Sequence, residues 1–190
     1  MTICMYNVIC VTSRKLCEED FLTRIEKICN SGIKSLILRE KDLSAEDYRQ
    51  LAEKVVSVCH KYGTECILHS HMDIATELNA DGVHLTMDML RNLQEKHCKT
   101  GVSCHSVSEA VEAEKMGADY IIAGHIFETD CKKGFAPRGL DFLKEVCESV
   151  DIPVYGIGGI NKDNIESVIN AGASGGCIMS GLMRGDISEY

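Results

Sequence analysis

Asn7-Val8-Ile9-Cys10-Val11-Thr12-Ser13-Arg14-Lys15 decides the fold. Its first part is a short, β-rich apolar run, and its last four residues form a turn without glycine. An open, doubly wound α/β sheet puts the glycines of its nucleotide fingerprint directly after the first strand. Their absence here favours a closed barrel. The preceding residues from Met1 are also apolar, but they carry no basic n-region or cleavage site, and the segment is too short to span a bilayer. It reads as a first strand, and no other segment approaches transmembrane length.

Outward from that strand, runs of the same kind recur at Ser35–Arg39, Cys66–His69, Gly82–Leu85, Thr100–Cys104, Tyr120–Gly124, Pro153–Ile157 and Gly176–Ser180. With Asn7–Thr12 they make eight strands. Amphipathic segments lie between them, at Asp20–Ser31, Ser44–Tyr62, Met89–Lys96, Ser106–Met116, Leu140–Val150 and Lys162–Asn170. Strand and helix alternating in this way mark βαβ units and a parallel sheet. Ser44 with Asp47 and Ser106 with Glu109 have near capping-box spacing, and Gly32, Gly63, Gly117 and Gly172 stand where helices end in a left-handed residue. One boundary repeats, as Asn79-Ala80-Asp81-Gly82, Gly117-Ala118-Asp119-Tyr120 and Gly172-Ala173-Ser174-Gly175. The expected fold is a (β/α)8 TIM barrel, one domain over residues 1–190, with no linker or low-complexity stretch.

The chain is short for that fold, which commonly runs to about 250 residues. Only Gly181–Tyr190 follow Ser180, so the eighth helix is expected to be shortened or missing. The flank left bare there should expose apolar surface and be covered in a homo-oligomer.

Acidic residues outnumber basic ones 29 to 20, for a formal charge of −9, and the cations are scattered. Nucleic acid and anionic membrane are therefore poor partners. Any anion site has to be made locally. Eleven cysteines, odd in number and with no C-x-x-C pair, argue against a disulfide framework or a standard zinc site and for a cytoplasmic location. Cys10, Cys66 and Cys177 fall in apolar runs and read as small buried hydrophobes.

In a barrel of this kind the chemistry sits just past the C-terminal ends of the strands. Ile157-Gly158-Gly159-Ile160 after strand seven and Met179-Ser180-Gly181 after strand eight offer backbone N–H groups to a phosphate. The segment from His125 to Arg138 is long for a βα connection and carries Lys132, Lys133 and Arg138, cations suited to closing over an anion. Histidines stand at or near five strand ends: His69, His71, His84, His105 and His125. Of these, His125 opens the basic loop and is the candidate catalyst. The pair His69 and His71 invites a metal, but strand eight offers Ser180 rather than an acid, so no metal site is assigned.

Leu38-Arg39-Glu40-Lys41, Ala80-Asp81-Gly82-Val83-His84-Leu85, Ser103-Cys104-His105-Ser106, Gly156-Ile157-Gly158-Gly159-Ile160 and Met179-Ser180-Gly181 resemble the thiamine-phosphate synthase superfamily over nearly the whole chain. Synthases of that superfamily bind magnesium through an Asp after Asn at strand three and another after Gly-Gln at strand four. The corresponding positions here are Ser70 and Met89, with Asp88 one place away. A thioether cannot replace a hard oxygen ligand. Gly124-His125-Ile126-Phe127-Glu128-Thr129-Asp130-Cys131-Lys132-Lys133-Gly134 looks like the loop of the thiazole tautomerase (TenI) branch. The resemblance to that branch implies a cofactor-free isomerase of thiamine biosynthesis. It would convert a 2-carboxy-4-methyl-5-ylidene-dihydrothiazole ethyl phosphate into the aromatic carboxythiazole phosphate, with His125 moving the proton.

Under that resemblance Gly158, Gly159, Met179, Ser180 and Gly181 hold the phosphate of a small phosphorylated thiazole, while Lys132, Arg39, Ser103 and, more weakly, Lys41 balance its anionic groups. Two alternatives stand beside it. One is thiamine-phosphate synthase, a transferase acting with Mg2+ on a thiazole phosphate and a pyrimidine diphosphate. The other is a non-catalytic barrel that senses a phosphorylated ligand.

Overall fold

The computed structural model describes residues 7–132, 134–185 and 187. Residues 1–6, Lys133, 186 and 188–190 lie outside them, and with them Cys4, the start of the apolar opening segment and part of the C-terminal tail. The side chain of Cys131 is likewise not described.

Eight parallel strands close in chain order: β1 (Val8–Val11), β2 (Ser35–Leu38), β3 (Glu65–His69), β4 (Gly82–Thr86), β5 (Lys99–Cys104), β6 (Tyr120–Gly124), β7 (Val154–Ile157) and β8 (Gly175–Ile178), which pairs back onto β1. The helices between them are α1 (Phe21–Asn30), α2 (Ala45–Tyr62), α3 (Met72–Glu77), α4 (Met87–Arg91), α5 (Val107–Lys115), α6 (Gly139–Ser149), α7 (Ile165–Asn170) and α8 (Ser180–Arg184). This is the expected (β/α)8 barrel.

The strands read as unbroken apolar runs because both of their faces are covered. Leu36, Leu38, Cys66, Val83, Val102 and Ile121 point outward against Ile25, Ile28, Val55 and Val146 of the helices, while Ile9, Ile37, Ile67, Ile122 and Cys177 fill the barrel. Each fully buried Leu or Ile contributes roughly 1.5–3 kcal/mol relative to exposure. Cys10, Cys66 and Cys177 are buried as expected, and burial pushes the Cys10 and Cys177 thiols up, out of the reactive range.

Capping follows the sequence signals. Ser44 accepts from Asp47 N–H, Ser106 accepts from Glu109 N–H, and Gly63 ends α2 at φ +68°. The repeated boundary has a physical basis. The Ala of each copy bonds back to its helix, Ala80 to Ala75, Ala118 to Ala113 and Ala173 to Val168. The acid beside it then caps the neighbouring strand: Asp81 accepts from Cys66 N–H at 2.7 Å and Asp119 from Thr100 N–H at 2.6 Å. In the third copy Ser174 keeps the backbone bond alone, to Val154 O at 2.7 Å.

The eighth helix is short, but the flank beside it is not bare. Leu182 and Met183 are buried, and Arg24 of α1 donates to Leu182 O and Gly185 O. Among the described residues the exposed large apolar side chains are Met116 and Phe135, both elsewhere. The apolar flank on which a homo-oligomer was expected is therefore corrected: the C-terminal turn covers it. No helix among the described residues is long and apolar enough to cross a membrane.

Candidate functional site

The C-terminal rim begins with a brace between β1 and β2. Thr12 donates to Glu40 Oε1 at 2.7 Å, Arg14 N–H donates to the same carboxylate at 3.0 and 3.1 Å, and Arg39 N–H donates to Thr12 Oγ1 at 3.0 Å. Glu40 is 4% exposed, and its carboxyl is pushed up by burial against the pull of those donors. Tyr48 of α2 makes the next brace, donating to Leu38 O at 2.7 Å and accepting from His69 N–H at 3.1 Å. Its ring stacks on His71 at 4.2 Å. Together they wall an open cleft of about 270 Å3 lined by Glu40, Lys41, Tyr48, His69, Ser70, His71 and Thr86.

The cleft carries positive potential. Loss of surrounding water, then the like charges of Arg39 and Lys132, hold Lys41 below the usual lysine range. The loop after β6 thus brings Lys132 within electrostatic reach of β2. Burial, then Lys41 and Arg39, push His69 down to about 4. Burial, then His69, Arg39 and Lys41, push His84 down to about 3. Both imidazoles are neutral at pH 7. Among the described residues no carboxylate lies within ion-pair distance of Arg39, Lys41 or Lys132.

A magnesium cage does not fit this rim. Ser70, at φ +70°, turns its hydroxyl to its neighbour His69 Nδ1 at 2.7 Å. Met89 packs its thioether against the core. Asp88, one place from Met89, is 88% exposed at its side chain and paired with Arg91, which Glu112 also holds. Glu40 spends its oxygens on Thr12 and Arg14. The donor set is hydroxyl, imidazole and ammonium rather than the carboxylate oxygens that Mg2+ requires.

Opposite β3 in the closed barrel lies β7. There the loop from His125 runs against the next strand's exit, with Ile126 N–H on Ile157 O and Phe127 N–H on Gly158 O. A Cβ on Gly158 would fall 2.4 Å from that of His125, and one on Gly159 2.4 Å from Glu128 O. The two glycines are required by this close approach as well as by their positive φ. The helix expected to begin at Lys162 starts only at Ile165, because Asn164 accepts from Asn161 N–H and donates to Gly159 O. Gly158 and Gly159 therefore do not stand at a helix N-terminus. Met179, Ser180 and Gly181 follow β8, the neighbour of β7, so the two glycine-containing loops share one side of the mouth.

Other expected residues are placed differently. His125 Nε2 lies 3.3 Å from Phe135 O, so its proton is donated within its own loop. Arg138 holds its guanidinium 5.2 Å from the Phe142 ring of α6. His105 Nδ1 donates to Gly124 O at 3.0 Å and ties β5 to β6. Lys133 lies outside the described residues. Ser103 stands half-buried at the end of β5, with its hydroxyl 2.8 Å from His84 Nε2. The bracing roles of Thr12 and Tyr48 were not foreseen.

The sequence matches the thiamine monophosphate synthase family over residues 8–182. The chain belongs to that family. It is 38% identical over 184 residues to thiamine-phosphate synthase of Clostridium acetobutylicum, covering 94% of this chain and 87% of that one. It is 36% identical over 188 residues to thiamine-phosphate synthase of Clostridium novyi, covering 95% and 92%. Among solved structures, thiamine phosphate pyrophosphorylase from Pyrococcus furiosus superposes with a TM-score of 0.84 at 29% identity, covering 96% of this chain and 90% of that one.

These relatives overturn the tautomerase assignment. The loop from His125 to Gly134 pointed to an isomerase, whereas relatives this similar over the whole barrel carry the synthase name.

Proposed function

We propose that this protein is a thiamine-phosphate synthase, joining a thiazole phosphate to the methylene carbon of a pyrimidine diphosphate. The thiazole nitrogen forms the new C–N bond, the C–O bond to the diphosphate breaks, and diphosphate leaves. One observation carries the reading beyond the family. The mouth offers two anion seats, a cationic one at Arg39 and Lys41 after β2 with Lys132 from the loop after β6, and a glycine-lined one after β7 and β8. Joining two phosphorylated substrates requires that both be held in one mouth, and the relatives named for that reaction match over the whole barrel.

In this reading the glycine-lined seat takes the thiazole phosphate on amides of Gly158, Gly159, Ser180 and Gly181, with Met179 and His125 walling it. The cationic seat takes the diphosphate. Charge builds on the departing oxygen as the C–O bond breaks, and fixed cations in a partly dehydrated cleft stabilise that charge without reorganising. Ser103 adds a hydroxyl from the end of β5. Because the rim lacks a carboxylate cage, Arg39, Lys41 and Lys132 supply the charge balance themselves.

The test is to incubate the protein with both substrates, once with Mg2+ and once with EDTA, and to quantify thiamine phosphate and diphosphate. Equal amounts of both products, persisting in EDTA, are expected. No thiamine phosphate under either condition would overturn the synthase reading. A strict requirement for Mg2+ would keep the synthase and overturn the metal-free seat.

A further inference from the structure

A buried row crosses three strands beneath Ser103. The register places His84 of β4 beside Gly101 of β5, and Gly101 beside Tyr120 of β6. Glycine inside a strand weakens it and marks a close approach. Here a Cβ at position 101 would fall 1.9 Å from Tyr120 Cζ, so the phenol ring lies in the space that a side chain on β5 would take. The ring thereby bridges from β6 to β4. Its hydroxyl reaches His84 Nδ1 at 3.3 Å, while His84 Nε2 meets Ser103 Oγ at 2.8 Å.

The direction of these bonds follows from elimination. Tyr120 and His84 are each 3% exposed, and among the described residues the Tyr120 hydroxyl has His84 as its hydrogen-bond partner. If His84 Nδ1 carried a proton, the phenol would accept it and its own buried O–H would have nowhere to go, which is costly. The phenol therefore donates to Nδ1. The neutral ring then carries its proton on Nε2 and donates it to Ser103 Oγ. Ser103 already accepts, so its own O–H is left for whatever occupies the mouth.

We infer that Tyr120 acts through His84 to fix Ser103 as a hydrogen-bond donor into the barrel mouth, making Tyr120 and His84 positioning residues for a substrate anion. Neutrality of the imidazole keeps the device in one state, because burial holds His84 far below pH 7. Without the phenolic proton the imidazole can take the other tautomer, and Ser103 then spends its proton on Nε2 and turns a lone pair toward the anion. The consequence for turnover rests on the synthase reading, but the polarity of the row does not.

The experiment reads both without turnover. In 15N-labelled protein at pH 7, the His84 ring nitrogens are expected to report Nε2–H with Nδ1 bare, and Tyr120→Phe is expected to populate the second tautomer. Calorimetric binding of inorganic diphosphate then supplies a double-mutant cycle. Tyr120→Phe and Ser103→Ala should each weaken binding about tenfold, in line with one hydrogen bond to a charged group. Tyr120→Phe should change binding less than twofold in the Ser103→Ala background. The Phe ring still fills the space over Gly101, and a melting curve checks that the fold is kept. Protonation at Nδ1 in the unsubstituted protein overturns the inference. So does an equal loss from Tyr120→Phe in both backgrounds, as does unchanged binding in both single variants. A failed synthase assay with the expected tautomer and cycle would overturn the proposed reaction and leave this arrangement standing.

Discussion

The two rims of the barrel treat charge in opposite ways. At the N-terminal rim the acids are used by the chain itself: Glu65 takes Ser35 and Lys99, Asp81 takes Cys66 N–H and His60, Asp119 takes Thr100 N–H and Lys96, and Glu114 takes the N–H groups of Asp151 and Ile152. At the C-terminal rim Glu40, Asp42 and Asp88 are drawn to the brace or to the outer surface, while Lys41 lines the cleft with Arg39 and Lys132 near enough to repel it, and among the described residues these three cations have no carboxylate partner. Charge that the chain satisfies holds the fold. Charge it leaves unmatched inside a cleft is kept for a ligand.

The sharpest way to break this contrast is Arg39→Ala. Removing a cation from the unmatched rim should lower kcat/KM for thiamine phosphate formation by about 10²–10³, or roughly 3–4 kcal/mol at the transition state, with the melting midpoint little changed. A loss below about fivefold would show that the rim's charge is not catalytic.

Acid offers the next test. His69 and His84 have folded pKa values of about 4 and about 3, below the ordinary value, so as pH falls the unfolded chain binds their protons first. The stability they support is complete above about pH 6.5 and is lost on the way down toward 4 and 3, at up to about 1.4 kcal/mol per pH unit for each histidine. Urea midpoints measured from pH 7 to pH 5 should fall, and His69→Gln should flatten the slope. A profile indifferent to that substitution would separate these histidines from the positive rim.

The smallest effect belongs to the satisfied rim. Asp119→Ala leaves Thr100 N–H without its acceptor and should cost about 1 kcal/mol, the exposed pair with Lys96 adding little. Activity per folded molecule should be unchanged. A fall in kcat/KM beyond about threefold would mean that the two rims are coupled.

The architecture was legible because parallel strands covered on both faces leave continuous apolar runs, and because one corner recurs where a helix hands over to a strand, as Ala-Asp before β4 and β6 and as Ala-Ser before β8. Short helices were harder. α3 follows directly on His71 with too few turns to show a period, and α4 begins at its Thr86 cap and stops at Arg91, before the polar stretch that looked helical. α7 loses its first turn to the Asn161 and Asn164 side chains.

In the site, Arg39 and Lys41 could be named from their place just past β2. Tyr48 could not, because inside α2 it reads as one more apolar position and only the packed structure shows where its hydroxyl goes. Tyr120 did leave a signal in Gly101, a lone glycine inside a strand. The loop from His125 misled because its residues speak to one wall of the mouth, whereas the family likeness runs over the whole barrel.

The contact of that loop with Gly158 and Gly159 makes the sixth and seventh loops a single heritable unit. A larger residue at 158 has no room while His125 holds its place, and a rebuilt loop has no bed unless the two glycines stay. Exchanging residues 125–138 for the loop of a relative will therefore succeed only when its partner segment travels with it, and recombination inside this barrel has one natural crossover fewer than its eight repeats imply.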